Sequence, residues 1–282
     1  MSLATLKSKD LTVEISSLGA EIQSIRDRNG AEYMWQGDPQ YWASRAPILF
    51  PVAGGFRDDE YVWQGKTYPM AKHGIVRKVE WEMEKNAPQQ AVFKISRKTE
   101  GFPFEYDLRA VFTLRDNRLQ VDYAVTNRDA QPFCFSVGAH EAYLTPGGIE
   151  DYEIVFDQEE DLYHSILEGN LNSHDTQLIA AHTRVLPLKY EYFAVDALVF
   201  RSVKSKGVTL RGVKNGRKVR VDFPDHPILM FWDKPGAEYI CIEPWCNGPD
   251  FVDAPKEIDR KFGFLRLEPG QTITRTHAIT IG

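Results

Sequence analysis

Four short polar segments each place a titratable or charged side chain near the end of a predicted strand. They are KHGIVR at 72–77, GAHEAY at 138–143, VDA at 195–197 and IEPW at 242–245. A fifth, RAPILFP at 45–51, is mostly apolar with one cation at its start. Each signal is weak alone, because a single histidine is more often a hydrogen-bonded structural residue than a catalyst. The set therefore has to be interpreted together.

Taken together, these segments supply groups that can hold a sugar and move its protons. The carboxylates Asp196 and Glu243 and two arginines can hydrogen-bond vicinal hydroxyls, and the face of Trp245 can cover the apolar side of a pyranose ring. A Glu/His pair can act as base and acid near neutral pH, since the ordinary pKa values are about 4.3 and 6.5. This chemistry predicts a site that binds a sugar and transfers its protons.

The elements that must position these side chains are strands. Apolar and polar residues alternate with period two along many short runs, which is typical of half-buried strands: 11–15, 92–95, 108–114, 119–125, 133–137, 197–200, 219–223, 228–232, 239–242 and 272–281. Hairpin turns are predicted at Asp116-Asn117, Gln64-Gly65 and Asn215-Gly216, the last as a type I′ turn. In 239–243 the alternation places Tyr239, Cys241 and Glu243 on one face, and Gly138 predicts a bend before His140.

This pattern predicts an all-β fold, a large antiparallel sandwich with very little helix. Only 40–44 and 178–182 could form a helical turn or two, and 157–189 has too little pattern to predict more than long loops. No linker or repeat divides the chain, so residues 1–282 are expected to form a single domain.

Composition excludes several classes of protein. The net charge is −6 and no basic stretch is present, so we do not expect nucleic-acid binding. No apolar run approaches the length of a membrane helix, about 18 residues, and the first residues lack a signal-peptide core. The three cysteines cannot all pair, and Cys241 and Cys246 do not have a zinc-site spacing, so we expect reduced thiols, a cytoplasmic protein, no metal and no cofactor.

The ordered motifs resemble the aldose 1-epimerase (galactose mutarotase-like) superfamily, in a LacX-like branch. The resemblance extends over the whole chain and rests on the order and spacing of these motifs: LGAEI at 18–22, WQGDPQYW at 35–42, RAPILFP at 45–51, HGIVR at 73–77, GAH at 138–140, DAL at 196–198 and CIEPW at 241–245. It implies a β-supersandwich of two large sheets with an open cleft on a concave face.

The resemblance also implies residue roles. Glu243 matches the general base that deprotonates the anomeric hydroxyl, and His140 matches the acid that protonates the ring oxygen. His73 matches a second histidine that hydrogen-bonds the substrate near the ring oxygen. Asp196 matches a carboxylate that holds hydroxyls, and Arg77 matches an arginine that follows the His-Gly pair. No cofactor is implied.

One position departs from the family pattern. Relatives commonly carry a basic residue where this chain has Gly55, in a loop that faces the sugar. Arg57, two residues later, is the candidate substitute, and Arg45 at the start of the same region is a further candidate substrate contact.

Three hypotheses about function remain open in the sequence. The first is a mutarotase acting on a hexose, or on a hexose 6-phosphate whose phosphate meets Lys72, Arg77 or Arg57. The second is a non-catalytic sugar-binding protein on the same fold. The third, glycoside hydrolysis by Glu243 with Asp196 or Asp250, is the least favoured, because the conspicuous partners are histidines. The expected partner is a small sugar, and the chain is expected to be a monomer or homodimer.

Overall fold

The structure is a computed structural model that describes residues 2–282, and it is built from strands. The strands are β1 (Leu3–Lys7), β2 (Leu11–Ser16), β3 (Ile22–Asp27), β4 (Glu60–Trp63), β5 (Lys66–Pro69), β6 (Glu82–Ala87), β7 (Gln90–Ile95), β8 (Tyr106–Arg115), β9 (Arg118–Asn127), β10 (Phe133–Phe135), β11 (Glu141–Leu144), β12 (Tyr152–Glu168), β13 (Leu171–Pro187), β14 (Leu198–Phe200), β15 (Gly207–Gly212), β16 (Lys218–Asp222), β17 (Ile228–Trp232), β18 (Tyr239–Trp245), β19 (Leu265–Leu267) and β20 (Thr272–Ile281). Within residues 2–282 the helical elements are short 3₁₀ turns at Arg57–Asp59, Ile149–Asp151, Tyr190–Phe193 and Ile258–Arg260.

Thirteen strands join into one antiparallel sheet. Its order is β11-β18-β17-β14-β12-β15-β16-β20-β9-β8-β7-β6, with β13 paired to β12. Three small sheets, β1-β2-β3, β4-β5 and β10-β19, lie outside it. The predicted all-β, antiparallel fold with very little helix is confirmed. The expected sandwich has two large layers, and in the structure both layers belong to one continuous hydrogen-bonded sheet.

The sheet folds over on itself and encloses the core. Glu141 on β11 and His277 on β20 are far apart in the strand order, yet Glu141 Oε1 lies 2.8 Å from His277 Nε2 in the interior. Both residues are buried. The main apolar cluster extends from Ala4 to Ile281 and includes Ile240 and Ile242 of β18. The opposite face of β18 is therefore free to form a cleft.

Local turn chemistry accounts for two of the three predicted hairpins. Asp116-Asn117 connects β8 to β9 and Gln64-Gly65 connects β4 to β5, as expected. The prediction of a two-residue turn at Asn215-Gly216 is wrong. Five residues connect β15 to β16, because the Gly212 N–H bonds the Arg217 carbonyl and the Gly216 N–H bonds the Gly212 carbonyl.

The prediction of loops at 157–189 is also wrong, since β12 and β13 form a long hairpin there. Alternation fails because β13 pairs only with β12, is mostly exposed, and the pairing carries several register shifts. Residues 178–182 are strand and 40–44 is a turn, so neither forms a helix. The tip of this hairpin reaches the cleft described below.

Candidate active site

A cleft of about 330 Å³ opens beside β18, the second strand of the large sheet, and is within the size range of small-molecule sites. Its lining combines charged, polar and aromatic side chains: Trp42, Lys72, His73, Arg77, His140, Leu167, Asn170, Asp196, Ala197, Met230, Trp232, Glu243, Trp245 and Pro249. Seven of the nine candidates from the sequence lie in this lining. The fold therefore brings together candidates that are up to 173 residues apart, the separation of Lys72 and Trp245 in the chain.

Glu243 and His140 form the centre of the cleft. Glu243 is on β18, and His140 directly precedes β11, which pairs with β18 so that Glu141 lies opposite Ile242. His140 Nε2 is 3.3 Å from Glu243 Oε2, and the two side chains are 10% and 1% exposed. As the alternation predicts, Ile240 and Ile242 pack into the main core while Cys241 lies on the side of Glu243.

Burial favours the neutral form of both members of this pair. It raises the pKa of Glu243 well above its usual range, a shift that Lys72 opposes and that Glu141 and Asp196 reinforce. It lowers the pKa of His140, which is a cation when protonated. Burial penalises both charged forms, so it favours a shared proton on the carboxyl rather than on the imidazole.

His73 enters the cleft from a strained backbone position. Its φ is 67°, and its backbone N–H donates to the Gly54 carbonyl. The Gly54 N–H donates to His73 Nδ1 at 3.2 Å, which leaves the ring hydrogen on Nε2. Burial lowers the pKa of His73 to about 2, so the imidazole is neutral at pH 7 and Nε2–H is a hydrogen-bond donor.

Gly74 is needed to hold this turn. Its φ is 72°, and a Cβ there would lie 2.0 Å from the Phe50 carbonyl oxygen. Both the left-handed conformation and the close approach favour glycine. The His-Gly pair of the sequence motif is thus a backbone requirement as well as a chemical one.

The rim of the cleft carries two cations and one carboxylate. Lys72 Nζ donates to Asn170 Oδ1 at 2.9 Å, and Arg77 Nη2 lies 3.4 Å from the Lys72 carbonyl. Asp196 Oδ1 accepts the N–H of Ala197 at 2.8 Å. Within the described part of the chain, neither Lys72 nor Arg77 forms an ion pair with a carboxylate, so both remain free for an anionic or hydroxylated ligand.

Arg45 and Arg57 do not line the cleft, and the geometry does not support their predicted substrate contacts. Arg45 donates to Gln23 Oε1 and the Gln36 carbonyl, both at 2.7 Å. The backbone N–H of Arg57 bonds Asp250 Oδ2 at 3.0 Å, and its side chain lies 3.8 Å from Asp58. The guanidinium of Arg45 is therefore engaged outside the cleft lining, and the ion-pair partner of the Arg57 side chain is Asp58 in the same turn.

Lys72 is a cation that lies near position 55, through their shared neighbour Asn170. A Cβ on Gly55 would lie 3.9 Å from the Asn170 Cβ, and Asn170 is the residue that Lys72 binds. A lysine from the neighbouring loop therefore reaches the region that a basic side chain at 55 would face. The sequence alone could not show this, because the contact passes through the tip of the β12–β13 hairpin.

The aromatic walls differ from the prediction. Trp245 lines the cleft but is only 2% exposed; its Nε1–H donates to the Ala139 carbonyl, and its ring contacts the edge of His73. Trp42 and Trp232, which sequence reasoning missed, are more open. The Trp42 ring stacks on His140 with centroids 4.9 Å apart. Its only sequence signal is the WQGDPQYW motif, where it sits in a turn that alternation cannot orient.

The remaining candidates are structural. Asp250 forms an ion pair with Lys261, whose Nζ lies 2.6 Å from Asp250 Oδ2. Both residues line a different cavity. This position does not support Asp250 as a partner carboxylate of Glu243. The three cysteines are free and buried, as expected. His277 lies in the last strand, as expected.

Comparison with known proteins identifies the fold. The chain is similar to a galactose mutarotase related enzyme from Lactobacillus acidophilus, with a TM-score of 0.93 at 29% identity, covering 100% of this chain and 97% of that one. A galactose mutarotase-like protein from Lactobacillus casei gives a TM-score of 0.93 at 26% identity, with 100% of both chains covered. The fold is therefore galactose mutarotase-like.

The sequence match is equally extensive. The family model for aldose 1-epimerase matches residues 2–280, and the chain belongs to the aldose 1-epimerase family. The LacX protein of Lactococcus lactis subsp. lactis is 32% identical, covering 98% of this chain and 98% of the relative. These matches support a protein of the sugar epimerase or mutarotase kind. No helix within residues 2–282 has the length and apolar character to cross a membrane.

Proposed function

We propose that the protein is a cofactor-independent aldose 1-epimerase that interconverts the α and β anomers of a hexose. The observation that carries the proposal is the Glu243–His140 pair, 3.3 Å apart at the base of a sugar-sized cleft. A carboxylate and an imidazole in contact can serve as base and acid and hold one proton between them, which suits a reaction that begins and ends with the same proton count.

Ring opening uses the pair as base and acid. In the reactive form the shared proton has passed from Glu243 to His140. The Glu243 carboxylate then takes the proton of the anomeric hydroxyl while the His140 imidazolium protonates the ring oxygen as the C1–O5 bond breaks. The pair is then neutral, the state that burial favours. Rotation about C1–C2 presents the other carbonyl face, and closure returns both protons.

The surrounding residues hold the sugar for these steps. His73 Nε2–H is a fixed donor, suited to an oxygen near the ring. Asp196, Arg77 and Lys72 offer hydrogen bonds to hydroxyls, and Trp42 and Trp232 offer apolar surface to the C–H face of the ring. Groups that are held in position before the substrate arrives reduce the entropic cost of orienting it.

The test is an anomer-exchange measurement by NMR with glucose and galactose, comparing the wild type with His140→Asn. The variant should lose about 10²–10⁴-fold in rate if His140 transfers the proton. His174→Gln is the control, because His174 is exposed and pairs with Asp253 outside the cleft. Full exchange by His140→Asn would contradict the mechanism. Saturable sugar binding by a wild type without accelerated exchange would instead favour a non-catalytic binding protein.

A phosphorylated sugar is the second candidate substrate, favoured by the two rim cations that have no carboxylate partner within residues 2–282. Lys72→Met should lower kcat/KM for a hexose 6-phosphate by about tenfold, as expected for one charge-assisted contact to phosphate, and should change the rate with the neutral hexose much less. Equal losses with both substrates would assign Lys72 to a hydroxyl instead of a phosphate.

A further inference from the structure

We propose that a thiophilic divalent cation, with Zn²⁺ as the reference ion, binds at the base of the cleft through His140, Cys241 and Glu243 and blocks the acid–base pair. One ligand-type atom from each residue lies within 4.8 Å of the others. All three residues are buried, at 8%, 0% and 1% exposure. Binding of the ion depends on this juxtaposition, whereas inhibition rests on the proposed epimerase function.

Two strand neighbours bring the ligands together. Cys241 precedes Glu243 by two residues on β18, so both side chains lie on the same face. His140 reaches them from the chain segment that leads into the paired strand β11. Because the ligands come from separate segments, no Cys-x-x-Cys or similar spacing marks the site, and the sequence predicts no metal there.

Two buried polar atoms of the cluster lack hydrogen-bond partners among residues 2–282. They are Glu243 Oε2 and His140 Nδ1, although both residues are more than nine-tenths buried. Nδ1 is not the ring nitrogen that faces Glu243, so only the Glu243 oxygen supports an ion at this point. Unpaired buried polar atoms are unfavourable and are normally satisfied by water, a ligand or an ion. Glu243 Oε2 is also the atom that faces His140. A cation at this point would satisfy the carboxylate.

The dimensions suit a tetrahedral ion after a small contraction. Zinc bonds of about 2.0–2.3 Å place ligand atoms about 3.4–3.7 Å apart. The 3.3 Å separation of His140 Nε2 and Glu243 Oε2 is already close to this value, and the 4.8 Å limit requires a movement of about 1 Å. Three protein ligands leave a fourth position for water on the cleft side.

Charge and ligand type select the class of ion. Binding would release the Cys241 thiol proton, and the Glu243 proton where present, to solvent. The resulting thiolate and carboxylate cancel the two charges of the cation, so the loaded site is neutral in a buried setting. Mixed sulfur, nitrogen and oxygen donors favour zinc-like ions over Mg²⁺ and Ca²⁺, which prefer oxygen.

The functional consequence is inhibition. An ion held by Glu243 and His140 occupies the lone pairs that the proposed reaction uses to accept and return protons. It also lies where the reacting end of the sugar would sit, so it should compete with substrate. The same contacts make the cluster a sensor of free thiophilic metal.

The experiment compares the wild type with Cys241→Ala, with Cys246→Ala as the control. Cys246 is also buried and free, but it is outside the cluster. Metal-free protein is titrated with Zn²⁺ in the anomer-exchange assay. The same proteins are titrated with Co²⁺ to record the thiolate-to-cobalt absorption band, which reports binding whether or not the protein is active. Cys241→Ser is the second variant if the alanine variant does not fold.

We expect zinc to inhibit the wild type and Cys246→Ala reversibly, with chelator restoring the rate. Cys241→Ala should keep its metal-free rate and bind at least about tenfold more weakly, since even residues that only support a metal ligand change affinity by about 10–100-fold. The cobalt band should appear in the wild type and be absent without Cys241. Zinc sensitivity unchanged in Cys241→Ala, or a cobalt band that persists without Cys241, would overturn the proposal. Absence of the band in the wild type would do so too, even if the protein proves inactive as an epimerase.

Discussion

Replacement of Glu243 by glutamine separates catalysis from stability. The change keeps the shape of the side chain and removes the base. Glu243 Oε2 accepts no hydrogen bond from residues 2–282, so the amide loses no protein contact there. Burial raises the pKa of Glu243 well above its usual range and so favours the uncharged form, which a neutral amide resembles.

The matched control is Glu160→Gln, at a carboxylate that is also buried but outside the cleft lining. Glu160 Oε1 accepts the Ser205 N–H at 2.8 Å and the Ser205 hydroxyl at 2.7 Å, and both carboxylate oxygens lie 3.1 Å from the Lys204 N. An amide can keep only part of this set. The loss of charge-assisted bonds should cost about 3 kcal/mol, or about 6–12 °C in Tm.

The two variants should therefore give opposite results. Glu243→Gln should lose about 10²–10⁴-fold in kcat/KM while its Tm changes by only a few degrees. Glu160→Gln should keep its rate and unfold at a lower temperature. Rates come from NMR anomer exchange after subtraction of the spontaneous reaction, and Tm from differential scanning calorimetry. If Glu243→Gln keeps more than about a tenth of the wild-type kcat/KM, the residue is not the base.

Three further changes test other parts of the structure. Trp42→Ala removes the ring stacked on His140 and should reduce kcat/KM about fivefold, equivalent to about 1 kcal/mol, whereas Trp42→Phe should retain most activity in the same exchange assay. Gly74→Ala places a Cβ 2.0 Å from the Phe50 carbonyl oxygen. It should lower the free energy of unfolding, measured by urea denaturation, by at least about 2 kcal/mol. An unchanged free energy would contradict this turn geometry. Burial raises the pKa of Asp233 to about 8, so the folded chain holds a proton that the unfolded chain has released. The free energy of unfolding should therefore fall as pH rises from about 4 through 8, and Asp233→Asn should remove this contribution. Identical urea unfolding curves for the two proteins at both pH 5 and pH 8 would refute this.

Much of the fold follows from local sequence because period-two alternation survives wherever one strand face is buried. β9 and β20 are such strands, and each was predicted close to its observed bounds. The rule fails for β13, which is mostly exposed and pairs with a single neighbour. Without a buried face to select apolar side chains, its sequence does not carry the strand signal.

Some features of the site also follow from local sequence. Alternation within β18 determined that Cys241 and Glu243 share a face, and the His73-Gly74 pair marks a turn that only glycine permits. These are properties of adjacent residues, which covalent geometry constrains. Motif order further indicated which side chains belong to one site.

Only the tertiary structure decided which of those side chains meet. It directs Arg45 to Gln23 and places Lys72 at Asn170, although both cations are equally plausible substrate contacts in the sequence. It also stacks Trp42 on His140 from a turn with no periodicity. The reason is physical: the direction of a long side chain on a loop is set by partners far away in the chain, and a one-dimensional pattern contains no distances between them.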